Sequence, residues 1–173
     1  MKTTAAMSSA RSRDALTLRE LGAWRAFLRA HSHINRKLEA ELVAEHELPL
    51  ASYDVLLQLA ESEGRRLRMT ELADRVLLSR SGLTRLVDRL ERDGLVERVA
   101  CANDARGTHA VLTDGGLERL RTAAPTHLRG VSEHVTSRLT AEELDQLQVL
   151  MLKLGDGSAE PPAGGCGAAE GVS

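Results

Sequence analysis

Between positions 79 and 92, arginines and small hydroxyl residues interleave with leucine and valine. Ser79, Arg80, Ser81, Thr84, Arg85, Arg89 and Arg92 stand against Leu83, Leu86, Val87 and Leu90. A guanidinium is a rigid fork of donors that matches a phosphate, or the O6 and N7 edge of a guanine, with two parallel hydrogen bonds. A hydroxyl adds a short-range donor and acceptor. Offered together from one surface, these groups have the chemistry of polyanion recognition. Three- and four-residue spacing puts the apolar set on one face of a helix and Arg80, Ser81, Thr84, Arg85, Asp88, Arg89 and Arg92 on the other. Ser79 stands where a side-chain oxygen caps the first turn, and Gly82 keeps that end slim enough to approach base edges. We expect Ser81, Thr84 and Arg85 nearest the bases, with Arg80 and Arg89 at the sugar–phosphate backbone. A solvated amphipathic helix would show the same spacing, so the neighbouring segments decide.

Gly94 ends this helix in the manner of a C-cap. Residues 95–101 and 108–112 then carry the Val and Thr content of two strands. The intervening residues 102–107, Ala-Asn-Asp-Ala-Arg-Gly, hold the types that tight turns require. On such a tip Arg106 could enter a minor groove, where a narrow A·T-rich segment concentrates negative potential. Asp104 could hold that guanidinium in position. Upstream, Leu72, Ala73 and Val76 face the core from a short helix, and Leu77 and Leu78 lead into a turn. Residues 69–112 therefore read as two helices joined by a tight turn and followed by a hairpin, the pattern of a winged helix-turn-helix.

Charge is distributed to match. The 173-residue chain has a formal net charge of −2. Residues 64–107 nevertheless hold ten arginines against seven carboxylates, a local balance of +3 that leaves −5 for the remainder. Basic charge gathers where phosphate contact would need it. Hydrophobic residues make up 42% of the chain and charged residues 28%, an ordinary globular balance. With Trp24, Phe27 and Tyr53 the only aromatics, the core must be built from Leu, Val and Ala, which suits helices. No apolar run approaches the roughly 20 residues needed to cross a bilayer, and the first residues lack the apolar stretch of a secretory signal. Cys101 and Cys166 are too far apart to suggest a disulfide framework. A cytoplasmic, nucleoid-associated location is expected. No nucleophile elbow, phosphate loop, dinucleotide-binding glycine pattern or metal-ligand cluster is present, so neither an enzyme nor a cofactor or metal site is expected.

The elements that must position the basic face are mostly helical. Residues 16–45 place Leu21, Trp24, Leu28, Ile34, Leu38 and Leu42 on one face of a helix longer than one small core can cover. After Pro49 a second helix spans about 52–61, with Val55, Leu56 and Leu59 inward, and residues 66–68 are extended. Thr113 caps a helix to about residue 139, which Pro125 should kink or interrupt. Thr140 and Glu143 form a capping box for a last helix striped with Leu144, Leu147, Leu150, Met151 and Leu154. Apolar faces left over on the first and last helices point to a second subunit. Residues 1–14 and the Gly-, Pro- and Ala-rich tail 155–173 are expected to be disordered.

The order of helices, the stretch LADRVLLSRSGLTRLVDRLERDGLVER, Asp104-x-Arg106-Gly107 and the exit Val111-Leu112-Thr113 closely resemble multiple-antibiotic-resistance-type (MarR) transcription regulators. The resemblance covers about residues 16–154. It implies a mainly α fold with a small β-hairpin: a winged helix-turn-helix DNA-binding lobe (about 50–113) plus N- and C-terminal dimerisation helices (about 16–45 and 114–154), together one domain over 15–154. It further implies a homodimer whose terminal helices interlock, with a recognition helix in each major groove and a wing in the flanking minor groove. Such a dimer would bind a double-stranded, pseudo-palindromic operator with half-sites about one helical turn apart. Members are usually repressors, often of a neighbouring gene and of their own promoter.

The resemblance also implies release of DNA when a phenolic or anionic effector enters a cleft between the dimerisation helices and the DNA-binding lobe. Residues that could line such a cleft here are Trp24, Phe27, His31, Tyr53, Asp54 and His127. Of the set that urate-responsive members use, Asp54 and Arg98 match, whereas the recognition-helix arginine position holds Leu86 and Trp24 lies on the first core helix. An alternative from another class is a winged-helix module for protein interaction without specific DNA binding. It accounts for the helices but not for arginines on both recognition helix and wing.

Overall fold

A computed structural model of the chain describes residues 16–76, 78–101 and 104–155, with the backbone alone at 101 and 104–106. The expectations for residues 1–14 and for the tail beyond 155 lie outside the described residues. Helix α1 (Leu18–His46) opens on a capping box in which the Thr17 hydroxyl accepts from the Glu20 N–H and the Glu20 carboxylate accepts from the Thr17 N–H. Helix α2 (Leu50–Ala60) follows Pro49, which offers no side-chain cap. Glu39 of α1 supplies one instead, its carboxylate accepting the Leu50 N–H at 2.6 Å. Strand β1 (Arg66–Arg68) leads into α3 (Met69–Arg75) and then α4 (Arg80–Arg92). The wing is β2 (Val96–Cys101) and β3 (Asp104–Leu112), and the sheet order is β1-β3-β2, antiparallel throughout. Helices α5 (Asp114–His134) and α6 (Ala141–Leu154) complete the chain. The mainly helical winged-helix class expected from the sequence is the class observed.

One core joins these elements. Leu42 and Leu48 from the first helix and its exit meet Val55, Leu56 and Leu59 of α2 and Leu72 and Ala73 of α3. Leu83, Leu86, Val87 and Leu90 of α4, Val96, Ala110 and Leu112 of the sheet, and Leu120 and Ala123 of α5 close it. The corner between α4 and β2 is built with particular economy. Gly94 takes φ +72°, the left-handed conformation that spares only glycine a Cβ clash. Its N–H bonds the Glu91 carbonyl at 3.0 Å while the Leu95 N–H reaches back to Leu90 at 2.8 Å, a Schellman ending. Thr113 then ties α5 to the same corner: its hydroxyl donates to the Gly94 carbonyl (2.8 Å) and accepts from the Gly116 N–H (2.9 Å). Gly116 packs so tightly there that a Cβ would fall 2.0 Å from the Leu95 carbonyl oxygen.

Two sequence expectations need correction. Helix α5 runs through Pro125 without a break and stops at His134, not near residue 139. A proline forfeits one hydrogen bond, but Pro125 is exposed and packing on both sides, at Ala123 and Thr126, holds the line of the helix. The stop is Val135, whose backbone (φ −128°, ψ −71°) leaves the helical region before a short turn at Thr136–Arg138. The second wing strand begins at Asp104, four residues earlier than its composition suggests. Trp24 and Leu28, on the helix read as longer than one core can cover, share a face that meets no core in the single chain: they are 52% and 43% exposed. No helix among the described residues is long and apolar enough to cross a membrane.

Candidate nucleic-acid interface

Helix α4 divides as its spacing predicts. Leu83, Leu86, Val87 and Leu90 are buried, and Arg80, Ser81, Thr84, Arg85, Asp88, Arg89 and Arg92 are exposed on the opposite side. Ser79 is the N-cap, its Oγ accepting the Gly82 N–H at 3.1 Å and lying 3.4 Å from the Ser81 Oγ. This hydroxyl thus caps the helix start while Ser79 remains on the exposed side. The Thr84 hydroxyl donates to the Arg80 carbonyl at 2.9 Å, so toward any ligand it can only accept. Arg80, Arg85 and Arg89 form no ion pair among the described residues. They are unneutralised cations on an open surface.

Beside them stands the wing. Val99 pairs with His109 and Ala100 with Thr108, but Cys101 pairs with Asp104, so Ala105, Arg106 and Gly107 face no residue of β2. The strand bulges where the sequence placed a loop, next to the position expected to probe a groove. Asp104 and Arg106 belong to this bulged start of β3; their side chains lie outside the described residues, as does that of Cys101. A cleft of about 430 Å³ separates α4 from the wing, with Thr84, Asp88, Arg98 and Thr108 among its walls and Arg68 of β1 at its edge.

Arg98 is not singled out for this surface from the sequence, where it enters only the arginine balance of residues 64–107 and the match to urate-responsive members. Its side chain leaves β2 and crosses to α4, with Nη2 2.7 Å from Asp88 Oδ1 and Nη1 2.6 Å from Glu91 Oε2. Nη2 also donates to the Thr84 carbonyl at 3.2 Å, and the Arg98 N–H bonds Glu91 Oε1 at 3.2 Å. No sequence signal pairs these residues, because their approach depends on the chain reversal at the Gly94 corner.

The proposed effector-cleft residues fall into two groups. Trp24, Phe27 and His31 stack along the exposed flank of α1, with ring centroids 5.9 and 6.3 Å apart. Tyr53, in contrast, is 3% exposed and belongs to the core, its ring 4.4 Å from that of His127 across the α2–α5 contact. Asp54 lies near the same imidazole. Burial pushes the Asp54 carboxyl above its usual range, and the charge of His127 partly opposes this. Burial likewise pushes the His127 imidazole below its usual value, and Asp54 partly opposes it. The Nδ1 of His127 is buried without a hydrogen-bond partner among the described residues. Of the urate-type residues, Leu86 is buried core and Arg98 is held by α4 carboxylates. No group of His, Cys, Asp and Glu able to hold a metal ion occurs among the described residues.

Known proteins share this architecture. A family model described as the MarR family matches residues 46–107. The homoprotocatechuate degradative operon repressor of Escherichia coli is 33% identical over 110 residues, 64% of this chain and 72% of that protein. The HTH-type transcriptional regulator YkoM of Bacillus subtilis, itself uncharacterized, is 31% identical over 137 residues, 79% of this chain and 86% of that protein. Among solved structures, Sco3205 of Streptomyces coelicolor, a MarR family transcriptional regulator in complex with DNA, superposes with a TM-score of 0.78. It is 40% identical and covers 83% of this chain and 89% of its own. The chain belongs to the MarR family of DNA-binding transcription regulators and is not an enzyme.

Proposed function

We propose that the protein is a homodimeric, effector-responsive repressor that binds a pseudo-palindromic operator through α4 in the major groove and the wing in the flanking minor groove. One observation carries the reading: Arg80, Arg85 and Arg89 stand without a carboxylate partner among the described residues, on the face of α4 opposite its buried stripe. Charges left unpaired over so short a surface suit a partner that brings the opposite sign. The repressor named in Escherichia coli and the DNA complex of the Streptomyces relative support the same direction. Roles divide by reach. Arg80 and Arg89 contact phosphates, and Arg106 enters the minor groove with Asp104 orienting it. Ser81, Thr84 and Arg85 meet the base edges, while Ser79 acts mainly by capping the helix that carries them. With its proton committed to Arg80, the Thr84 hydroxyl would accept from the exocyclic amine of adenine or cytosine.

The second copy covers the apolar flanks of α1 and α6. Effector control would act at the α2–α5 contact, where Asp54 and the unpartnered His127 nitrogen offer polar groups in a half-buried setting. A phenol or an aromatic carboxylate is the fitting class, and Trp24, Phe27 and His31 would have to approach from the dimer.

The test is a gel shift on the DNA upstream of the protein's own gene, with nonspecific competitor and a salt series. A discrete complex at nanomolar protein, weakening steeply as salt rises, is the expected result. Arg106→Ala should cost about 1–3 kcal/mol of affinity, and Thr84→Ala or Arg85→Ala should change base preference as well. Binding untouched by all three substitutions would exclude this docking. An absence of any specific complex, there or in a genome-wide selection, would favour a protein-interaction module.

A further inference from the structure

We propose that Arg98 is a positioning residue for DNA recognition: a brace that locks the wing to the recognition helix and masks the two carboxylates on its flank. The inference rests on the reading of α4 as the DNA-contacting helix. Arg98 holds α4 at three points, the Thr84 carbonyl, Asp88 and Glu91, which together span two turns of the helix. Its side chain is 24% exposed, against 50% for Asp88 and 40% for Glu91, so the guanidinium is the inner partner and the carboxylates face outward. Three acceptors on one planar fork define an orientation, which a point charge would not.

The arrangement has two consequences for a polyanion. Asp88 and Glu91 are the acids on the exposed side of α4, and beside phosphates they would repel at short range. Arg98, shared between the two carboxylates, offsets one of their two charges, and Arg80, Arg85 and Arg89 set the sign of the face. The brace also starts from β2, the strand whose partner β3 carries the bulge at Ala105–Gly107. Fixing β2 to α4 therefore fixes the distance between the major-groove element and the minor-groove element. Arg98 does this without itself being required to touch DNA.

Selection of duplexes from a random library with the wild-type dimer supplies the probe. Its dissociation constant is then measured across a salt series for wild type, Arg98→Gln, Arg98→Lys, the double variant Asp88→Asn/Glu91→Gln, and the triple variant combining these two with Arg98→Gln. Melting temperature is recorded for each. Removing the guanidinium exposes two carboxylates, so Arg98→Gln should bind about tenfold or more weakly, with the wild-type salt slope retained. The triple variant should recover most of that loss, and Arg98→Lys should fall between wild type and Arg98→Gln. A salt slope reduced by about one, with no recovery in the triple variant, would make Arg98 a direct phosphate contact and overturn the proposal. So would wild-type affinity in Arg98→Gln, or a loss of binding that merely tracks a loss of melting temperature. If the wild-type protein selects no duplex at all, the reading of α4 has failed first, and the brace falls with it.

Discussion

Helix α4 and helix α6 are near neighbours in length, 13 and 14 residues, and both are amphipathic in sequence. In the folded chain they meet opposite fates. Every large apolar residue of α4 is buried, whereas α6 has no buried residue and leaves Val149 and Leu154 64% and 69% exposed. Helix α1 repeats the contrast along its own length: Leu38 and Leu42 are buried, while Leu18, Trp24 and Leu28 stand in solvent. The difference shows which interfaces one chain completes. The winged-helix lobe is nearly self-sufficient, because its apolar faces close on each other and, Val99 apart, its large apolar side chains are covered. The terminal helices carry a core cut in half, and exposed apolar surface on this scale marks an interface.

The sharpest way to break this comparison is to charge the half-core. Leu150→Glu with Leu154→Glu should convert a dimer into monomers that keep the folded lobe. Two half-sites bound through one dimer gain about 100- to 10,000-fold over independent binding. Operator affinity should fall by that order, with helical content retained. Sedimentation alongside the gel shift checks it. A monomeric variant that binds as tightly as wild type would show that the apolar flanks serve something other than pairing.

The reverse perturbation strikes the lobe where it joins the helices. Gly116→Ala places a Cβ 2.0 Å from the Leu95 carbonyl and 2.7 Å from Leu112 Cδ1. The first obstacle is backbone, which cannot rotate away, so α5 must move from the α4–β2 corner. Overpacking of this kind costs about 1–3 kcal/mol. Denaturant unfolding should register the loss, and operator binding should weaken beyond it, because the corner sets the wing. By contrast Gly115→Ala, whose Cβ would stay 3.5 Å from the Gly94 carbonyl, should be nearly neutral.

The two regions also differ in how much their sequence disclosed. In α4 the period of Leu83, Leu86, Val87 and Leu90 is a local property, and so are the caps at Ser79 and Gly94; all can be read along the chain. The capping boxes at Thr140 and Thr17 are local in the same sense. What escaped depends on contacts distant in sequence. Proline should have interrupted α5, but flanking residues anchored in tertiary contacts outvoted it. The early start of β3 comes from pairing with β2, which supplies hydrogen bonds that turn-forming residues alone do not advertise. Arg98 became legible only when the Gly94 corner laid β2 beside α4. For Tyr53 the sequence leaves core and cleft open, because aromatic side chains serve both; in the single chain it is buried in the core.

The smallest expected effect lies at the α2–α5 contact, where the core meets the proposed effector site. Burial lowers the His127 imidazole below its ordinary value of 6.5, whereas in the unfolded chain it titrates near that value. On acidification the unfolded state therefore takes up this proton first, and the contribution of neutral His127 to stability, complete above about pH 6.5, is lost as pH falls through the lowered value. Asp54 has the opposite sign: its raised carboxyl makes the folded state bind the proton first, in a window above its ordinary 3.8 that favours the fold as pH falls. The two windows can be separated by comparing wild type with His127→Gln from about pH 7.5 to about 5.5. Wild type should lose more melting temperature over that span, since the other histidines contribute equally to both. Parallel slopes would mean that the imidazole is solvated when charged, and the contact would then be open enough to admit water without any effector.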